Sequence, residues 1–219
     1  MKLRYKYILF DLDGTLSKSG EGVKAGICYT MRKLGRKIPD LSDYSLFVGP
    51  ALTDTFQNVC KLPKDDIKKA IGLYGNFYTE TGKYQNEAYQ GIDELLKKLK
   101  SLGAVLGVAT TKNEDFAGWV LKYIGLCDYF DAVCGVTPDY RIHTKHQVMT
   151  NALKKIGCTN LSGCVMIGDS EFDVQGAKLT GCDFIGVSYG YGNISNMKKS
   201  GMSKLADSSE GLFELLLSQ

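Results

Sequence analysis

The 219 residues include 27 basic and 24 acidic side chains, a formal charge of +3, and 44% of the chain is apolar, which excludes a disordered or fibrous protein. That length suffices for one substantial core, or for a core carrying a smaller insert. The charges are scattered without a like-charged block to bind nucleic acid, no stretch is apolar enough to cross a bilayer, and the apolar run after Met1–Tyr7 is too short for a signal peptide.

The first landmark is Tyr7–Phe10, a short apolar run that stops at Asp-Leu-Asp-Gly-Thr, as a buried parallel strand ending in a loop does. Residues 17–86 then read as helical. Val23, Ile27, Met31 and Leu34 share one helical face, Ile67, Ile71, Tyr74 and Tyr78 share another, and no convincing strand lies between them. After residue 90 strands and helices alternate. Ile92, Leu95, Leu96 and Leu99 mark a helix, 104–109 a strand, and Phe116, Val120 and Ile124 a second helix. A strand over 130–134, a helix over 145–156, a strand over 164–167, a short helix over 173–179, a strand over 183–187 and a terminal helix over 211–217 complete the pattern. This is the rhythm of an α/β fold with a doubly wound parallel sheet, Rossmann-like, over 1–16 and 87–219, with an inserted all-helical cap domain over 17–86. The two linkers of the insert hold it above the carboxyl end of the first strand, where open α/β sheets bind ligands.

Asp11 and Asp13 flank one residue at that strand end, and Gly14 lets the backbone turn closely around a ligand. Taken alone, Asp-x-Asp-Gly is an Asx turn with a glycine stop. Three other strand ends supply partners. Thr110 offers a hydroxyl, with the backbone N–H of Thr111 beside it to donate to a phosphoryl oxygen. Lys145 opens a helix, from which an ammonium neutralises a phosphate and a carboxylate. Gly168-Asp169 ends a strand with Asp173 four residues on, a set of hard oxygen ligands suited to Mg2+; Asp173 also suits a helix cap.

In this order, Asp11-Leu-Asp-Gly-Thr, Thr110, Lys145 and Gly168-Asp169-Ser-Glu-Phe-Asp173 resemble the four motifs of the haloacid dehalogenase superfamily. Val48-Gly-Pro-Ala-Leu, Tyr89-Gln-Gly-Ile-Asp-Glu-Leu-Leu and Val187-Ser-Tyr-Gly-Tyr-Gly resemble its phosphoglycolate-phosphatase-like subgroup with a helical cap. The resemblance implies a magnesium-dependent phosphatase in which Asp11 forms an aspartyl-phosphate and Asp13 protonates the leaving oxygen, then activates water. It also implies that Thr110 and Lys145 hold the phosphoryl group, and that Mg2+ is bound by Asp11, the backbone carbonyl of Asp13 and Asp169, with Asp173 either orienting the site or ligating the metal through water. Leu16-Ser-Lys18-Ser19 departs from the acidic sequence usual after the first motif, and Ser170 from a bulkier polar residue.

The expected partner is a small-molecule phosphate ester, with no nucleic acid and no membrane, in a cytoplasmic monomer or homodimer. Phosphoglycolate is the nearest precedent; a 5'-nucleotidase acting on nucleoside monophosphates is the alternative. A phosphomutase resembling β-phosphoglucomutase is another, and would draw on Lys24, Arg32 or Arg36 for a second phosphate site. Seven scattered cysteines without a C-x-x-C pair read as free thiols. His143 and His146 read as loop and surface residues, the cap tyrosines Tyr29, Tyr44, Tyr74, Tyr78 and Tyr84 as core filling, and Tyr189-Gly-Tyr191-Gly as a loop after a strand.

Overall fold

The computed structural model describes residues 1–218. β1 (Tyr7–Phe10) is buried on both faces. Ile8 and Phe10 join one apolar cluster, and Tyr7 and Leu9 join a second on the opposite face, the period of two expected of a central strand. β1 is flanked by β2 (Val105–Asn113) and β4 (Cys164–Gly168), both parallel to it. β3 (Ala132–Val136), β5 (Asp183–Val187) and β6 (Leu205–Ala206) complete a six-stranded sheet in the order β3-β2-β1-β4-β5-β6. The chain winds outward from β1 through β2 to β3, then returns to the other side of β1 at β4. That reversal opens a crevice at the carboxyl end of β1.

Between β1 and the helix α4 (Ile92–Ser101), the described secondary structure is helical. α1 (Gly20–Lys33) packs against α3 (Lys64–Glu80) through Ile27, Met31 and Tyr74, on the faces that the apolar spacing marked, together with Ala70, which that spacing did not single out. α2 (Leu52–Asp54) lies between them and runs into a π-helical turn over Thr55–Val59. The linkers to this insert pair with one another. The N–H of Lys18 donates to the carbonyl of Glu87 (2.7 Å), that of Tyr89 to Leu16 (3.1 Å), and the Ser17 hydroxyl to Oδ1 of buried Asn86 (3.0 Å).

The remaining helices are α5 (Glu114–Tyr123), α6 (Lys145–Lys155), α7 (Glu171–Thr180), α8 (Ile194–Ser200) and α9 (Ser209–Leu216). Three of them start at side-chain caps that also fix site residues. Asn113 caps α5, Thr144 and Gln147 form a capping box at α6, and Ser170 and Asp173 form another at α7.

Several boundaries differ from the sequence reading. β2 runs four residues past 109, with a register shift against β3 between Ala109 and Asn113. Those residues are Thr-Thr-Lys-Asn, and apolar patterning cannot mark a strand end that lines a polar site. β3 begins at Ala132 because Phe130 still belongs to the turn after Cys127–Tyr129. α8 and β6 were not expected; α8 buries only Met197, and β6 has two residues. Of the cap tyrosines, Tyr74 and Tyr78 fill a core as expected, whereas Tyr84 is exposed and Tyr29 and Tyr44 are half-buried. All seven cysteines are free thiols.

Candidate active site

The carboxyl ends of β1, β2 and β4 bring the expected residues to one place. Asp11 follows β1, with its backbone N–H held by the carbonyl of Ile167 on β4 (2.8 Å). Lys145, the first residue of α6, reaches across with Nζ 2.5 Å from Asp11 Oδ1 and 2.5 Å from Asp173 Oδ1. An ammonium at a helix amino terminus opposes the helix dipole, so its placement is explained by those carboxylates and not by helix stability. Its aliphatic stem lies on Gly176 of α7, where an added Cβ would come within 2.8 Å of Lys145 Cγ.

Asp11, Asp169 and Asp173 are buried, and one carboxylate oxygen from each lies within 4.8 Å of the others. Burial pushes Asp11 up to about 7 against the pull of Lys145, with Asp173 adding to the rise. Burial, then Asp173 and Asp11, push Asp169 well above the usual carboxylate range, although two backbone N–H groups pull it back. Lys145 is pulled down by burial and raised on balance by Asp11 and Asp173, so it stays charged. Three carboxylates around one ammonium leave an excess of negative charge, held by hard oxygen donors. The residues therefore fit a divalent cation such as Mg2+.

Glycines make room for this cluster. An added Cβ on Gly14, at φ 85°, would meet Asp169 Oδ2 at 2.1 Å, and one on Gly192 would meet the Asp169 carbonyl at 1.8 Å. The loop after β5, read from sequence as a plain connection, also clamps the site. The N–H groups of Tyr191 (2.8 Å) and Gly192 (3.0 Å) donate to Asp169 Oδ2, and the Tyr191 hydroxyl accepts from the Gly20 N–H of the cap (2.8 Å). Gly192→Ala is expected to lower kcat about 10²-fold, because displacing Asp169 by an ångström or so misaligns the cluster. Steady-state kinetics with circular dichroism as the folding control checks this.

Asp13 stands apart from the acidic cluster. Its carboxylate faces Lys112, whose Nζ lies 3.1 Å from each Asp13 oxygen. Lys112 was absent from the sequence reading; the signal available was a lysine in the polar tail directly after an apolar strand. Burial pulls Lys112 down, but Asp13, then Tyr78 and Tyr74, raise it on balance, so it remains an ammonium. Thr110 is buried at the same strand end and its Oγ1 accepts from the Lys112 N–H (3.2 Å). Thr111 turns its hydroxyl to the Gly49 carbonyl of the cap (2.8 Å).

Above these groups lies a cavity of about 920 Å3 between insert and sheet, with Asp13, Lys112 and Lys145 among its lining and Phe47, Tyr74, Phe116, Tyr140 and Phe172 among its walls. His143, an exposed loop residue, and His146, half-buried on the first turn of α6, also line it, as expected of loop and surface residues, and the β3–α6 connection forms one wall of the cleft. Lys24, Arg32 and Arg36 do not line it, and Arg36 is paired with Asp66 (2.9 Å). Lys18 is exposed on its linker with Nζ 5.6 Å from the Tyr89 ring centroid. No helix of the described residues is long and apolar enough to cross a membrane.

The family model described as "Haloacid dehalogenase-like hydrolase" matches residues 8–187. A 5'-nucleotidase of Pseudomonas aeruginosa is 34% identical over 196 residues, covering 90% of this chain and 88% of the relative. A phosphoglycolate phosphatase of Neisseria meningitidis is 30% identical over 194 residues, covering 86% and 82%. Among solved structures, a predicted phosphatase from Clostridium acetobutylicum superposes with a TM-score of 0.90 at 35% identity, covering 96% of this chain and 97% of that one.

Proposed function

The chain belongs to the haloacid dehalogenase-like hydrolases, and from that premise we propose that it is a magnesium-dependent phosphomonoesterase with Asp11 as nucleophile and residues 17–86 as its cap. The observation that carries the reading is the Lys145 bridge between Asp11 and Asp173, with Asp169 beside them and Asp13 on the cavity side. Asp11 attacks phosphorus; its Oδ–P bond forms as the ester P–O bond breaks, and Asp13 gives the departing oxygen a proton. Asp13 then takes a proton from the water that hydrolyses the aspartyl-phosphate. Lys145 and Thr110 hold the phosphoryl oxygens through both steps. Asp11, Asp169, Asp173 and the Asp13 carbonyl would hold Mg2+, which when bound offsets the negative charge of phosphate and carboxylates together.

For the leaving group, the cavity favours a nucleoside over glycolate. A space of about 920 Å3 walled by rings is of the size that encloses ligands much larger than a two-carbon acid, and it suits a base and ribose. The 5'-nucleotidase relative supports the same choice. Phosphate release from nucleoside 5'-monophosphates, phosphoglycolate and sugar phosphates, with Mg2+ and with excess chelator, tests both points. Nucleoside monophosphates are expected to lead by about tenfold or more in kcat/KM, roughly 1.4 kcal/mol of added transition-state binding, and chelator to abolish turnover. Preference for phosphoglycolate would overturn the leaving-group assignment, and turnover unaffected by chelator would overturn the metal. Isomer formation without phosphate release would favour a mutase.

A further inference from the structure

Lys112 has no part in the chemistry above, yet it is a buried lysine that touches both the proton-transferring carboxylate and the cap. Its side chain is 7% exposed and that of Asp13 11%. From the core side it meets both Asp13 oxygens at 3.1 Å, a symmetrical contact that restrains rotation of the carboxylate about its side-chain bonds. From the cap side its Nζ lies 4.4 Å from the centroid of the Tyr78 ring, on α3. That ring is fixed in turn, stacked on Tyr74 (5.6 Å, 16°) and on Phe116 of α5 (5.0 Å, 26°). The Tyr78 hydroxyl accepts from Asn86 Nδ2 (3.4 Å), and Asn86 is the linker residue that Ser17 holds from the other linker. A continuous set of contacts therefore runs from the hinge through the cap helix to the ammonium and on to Asp13.

We propose that Lys112 is a positioning residue that aims Asp13 at the leaving-group oxygen, and that the Tyr78 ring holds it there when the cap rests on the core. A desolvated ammonium is attracted to the aromatic face it lies over, so withdrawing the ring as the cap lifts loosens the grip on Asp13. Asp13 is then held in its aimed position only in the closed site, where water is excluded from the intermediate.

This rests on the proposed phosphatase reading, and the test separates the two. A phenolate such as p-nitrophenolate leaves without much help from an acid, whereas an alkoxide needs the proton. Single-turnover phosphorylation rates and kcat/KM are measured on p-nitrophenyl phosphate and on the best alkyl phosphate of the panel. Lys112→Met is expected to lose about 10²-fold on the alkyl ester and under about fivefold on the aryl ester. Lys112→Arg should recover part of the alkyl rate. Tyr78→Leu should shift the alkyl-to-aryl ratio in the same direction by a smaller factor, while Tyr78→Phe, which keeps the ring, should leave that ratio near the wild-type value. Equal losses on both esters in Lys112→Met, or a Tyr78→Leu variant with an unchanged ratio, would overturn the proposal. Wild-type protein inactive on both esters would overturn the phosphatase reading instead. If Lys112→Met does not fold, the ratio in Lys112→Arg and the two Tyr78 variants decides.

Discussion

Asp11→Asn should fold and yet lose turnover of p-nitrophenyl phosphate by about 10⁴-fold or more, because the amide cannot form the acyl-phosphate bond. The fold has little reason to resist this change. Asp11 is buried, the amide is nearly isosteric, and removing one of three crowded carboxylates relieves repulsion around Asp169 and Asp173. The pH dependence follows from the same crowding. Burial raises Asp11 from its ordinary 3.8 to about 7, so between those values the folded protein holds a proton that the unfolded chain has released. Stability of the metal-free protein should therefore fall as pH rises through this window, and Asp11→Asn should flatten that part of the fall. Thermal melts at several pH values with chelator present measure it. A variant that kept full activity would remove Asp11 from the nucleophile's role.

Much of this site was legible in the sequence because two of its acids, Asp11 and Asp169, each end a run of apolar residues that only a buried strand explains. Ile8, Leu9 and Phe10 point to β1 and therefore to Asp11; Val165, Met166 and Ile167 point to β4 and therefore to Asp169. The doubly wound order is legible for the same reason, since parallel strands buried on both faces cannot alternate with polar residues. What escaped is carried by residues without a pattern. The last four residues of β2 are polar and three of them, Thr111, Lys112 and Asn113, line the cleft, and Lys112 among them gains its meaning only from Asp13, ninety-nine positions away. The loop at Tyr189–Gly192 acts through backbone N–H groups, which every non-proline residue possesses, so its side chains do not announce it. Its glycines carry a trace of the constraint, because Gly192 sits where any side chain would strike the Asp169 carbonyl.

Lys145→Met separates the two tasks that the central ammonium performs. In chelated buffer the variant leaves Asp11, Asp169 and Asp173 buried with no internal cation, and breaking such a network by removing one partner costs about 3–5 kcal/mol. Lys145 is raised on balance by Asp11 and Asp173, so its folded pKa stands above the ordinary 10.5 and its contribution persists across neutral pH, fading only as pH climbs through that higher value. The deficit should therefore be present throughout the neutral range. Mg2+ should restore much of the lost melting temperature, because a cation among the carboxylates replaces the missing charge. Activity should not return with it. A dication beside the carboxylates does not supply the N–H donors that hold the transferring phosphoryl oxygens, so kcat is expected to stay down by about 10²–10³-fold at saturating Mg2+. Stability and turnover recovering together would mean that Lys145 only balances charge, and the phosphoryl-binding role assigned to it would fall.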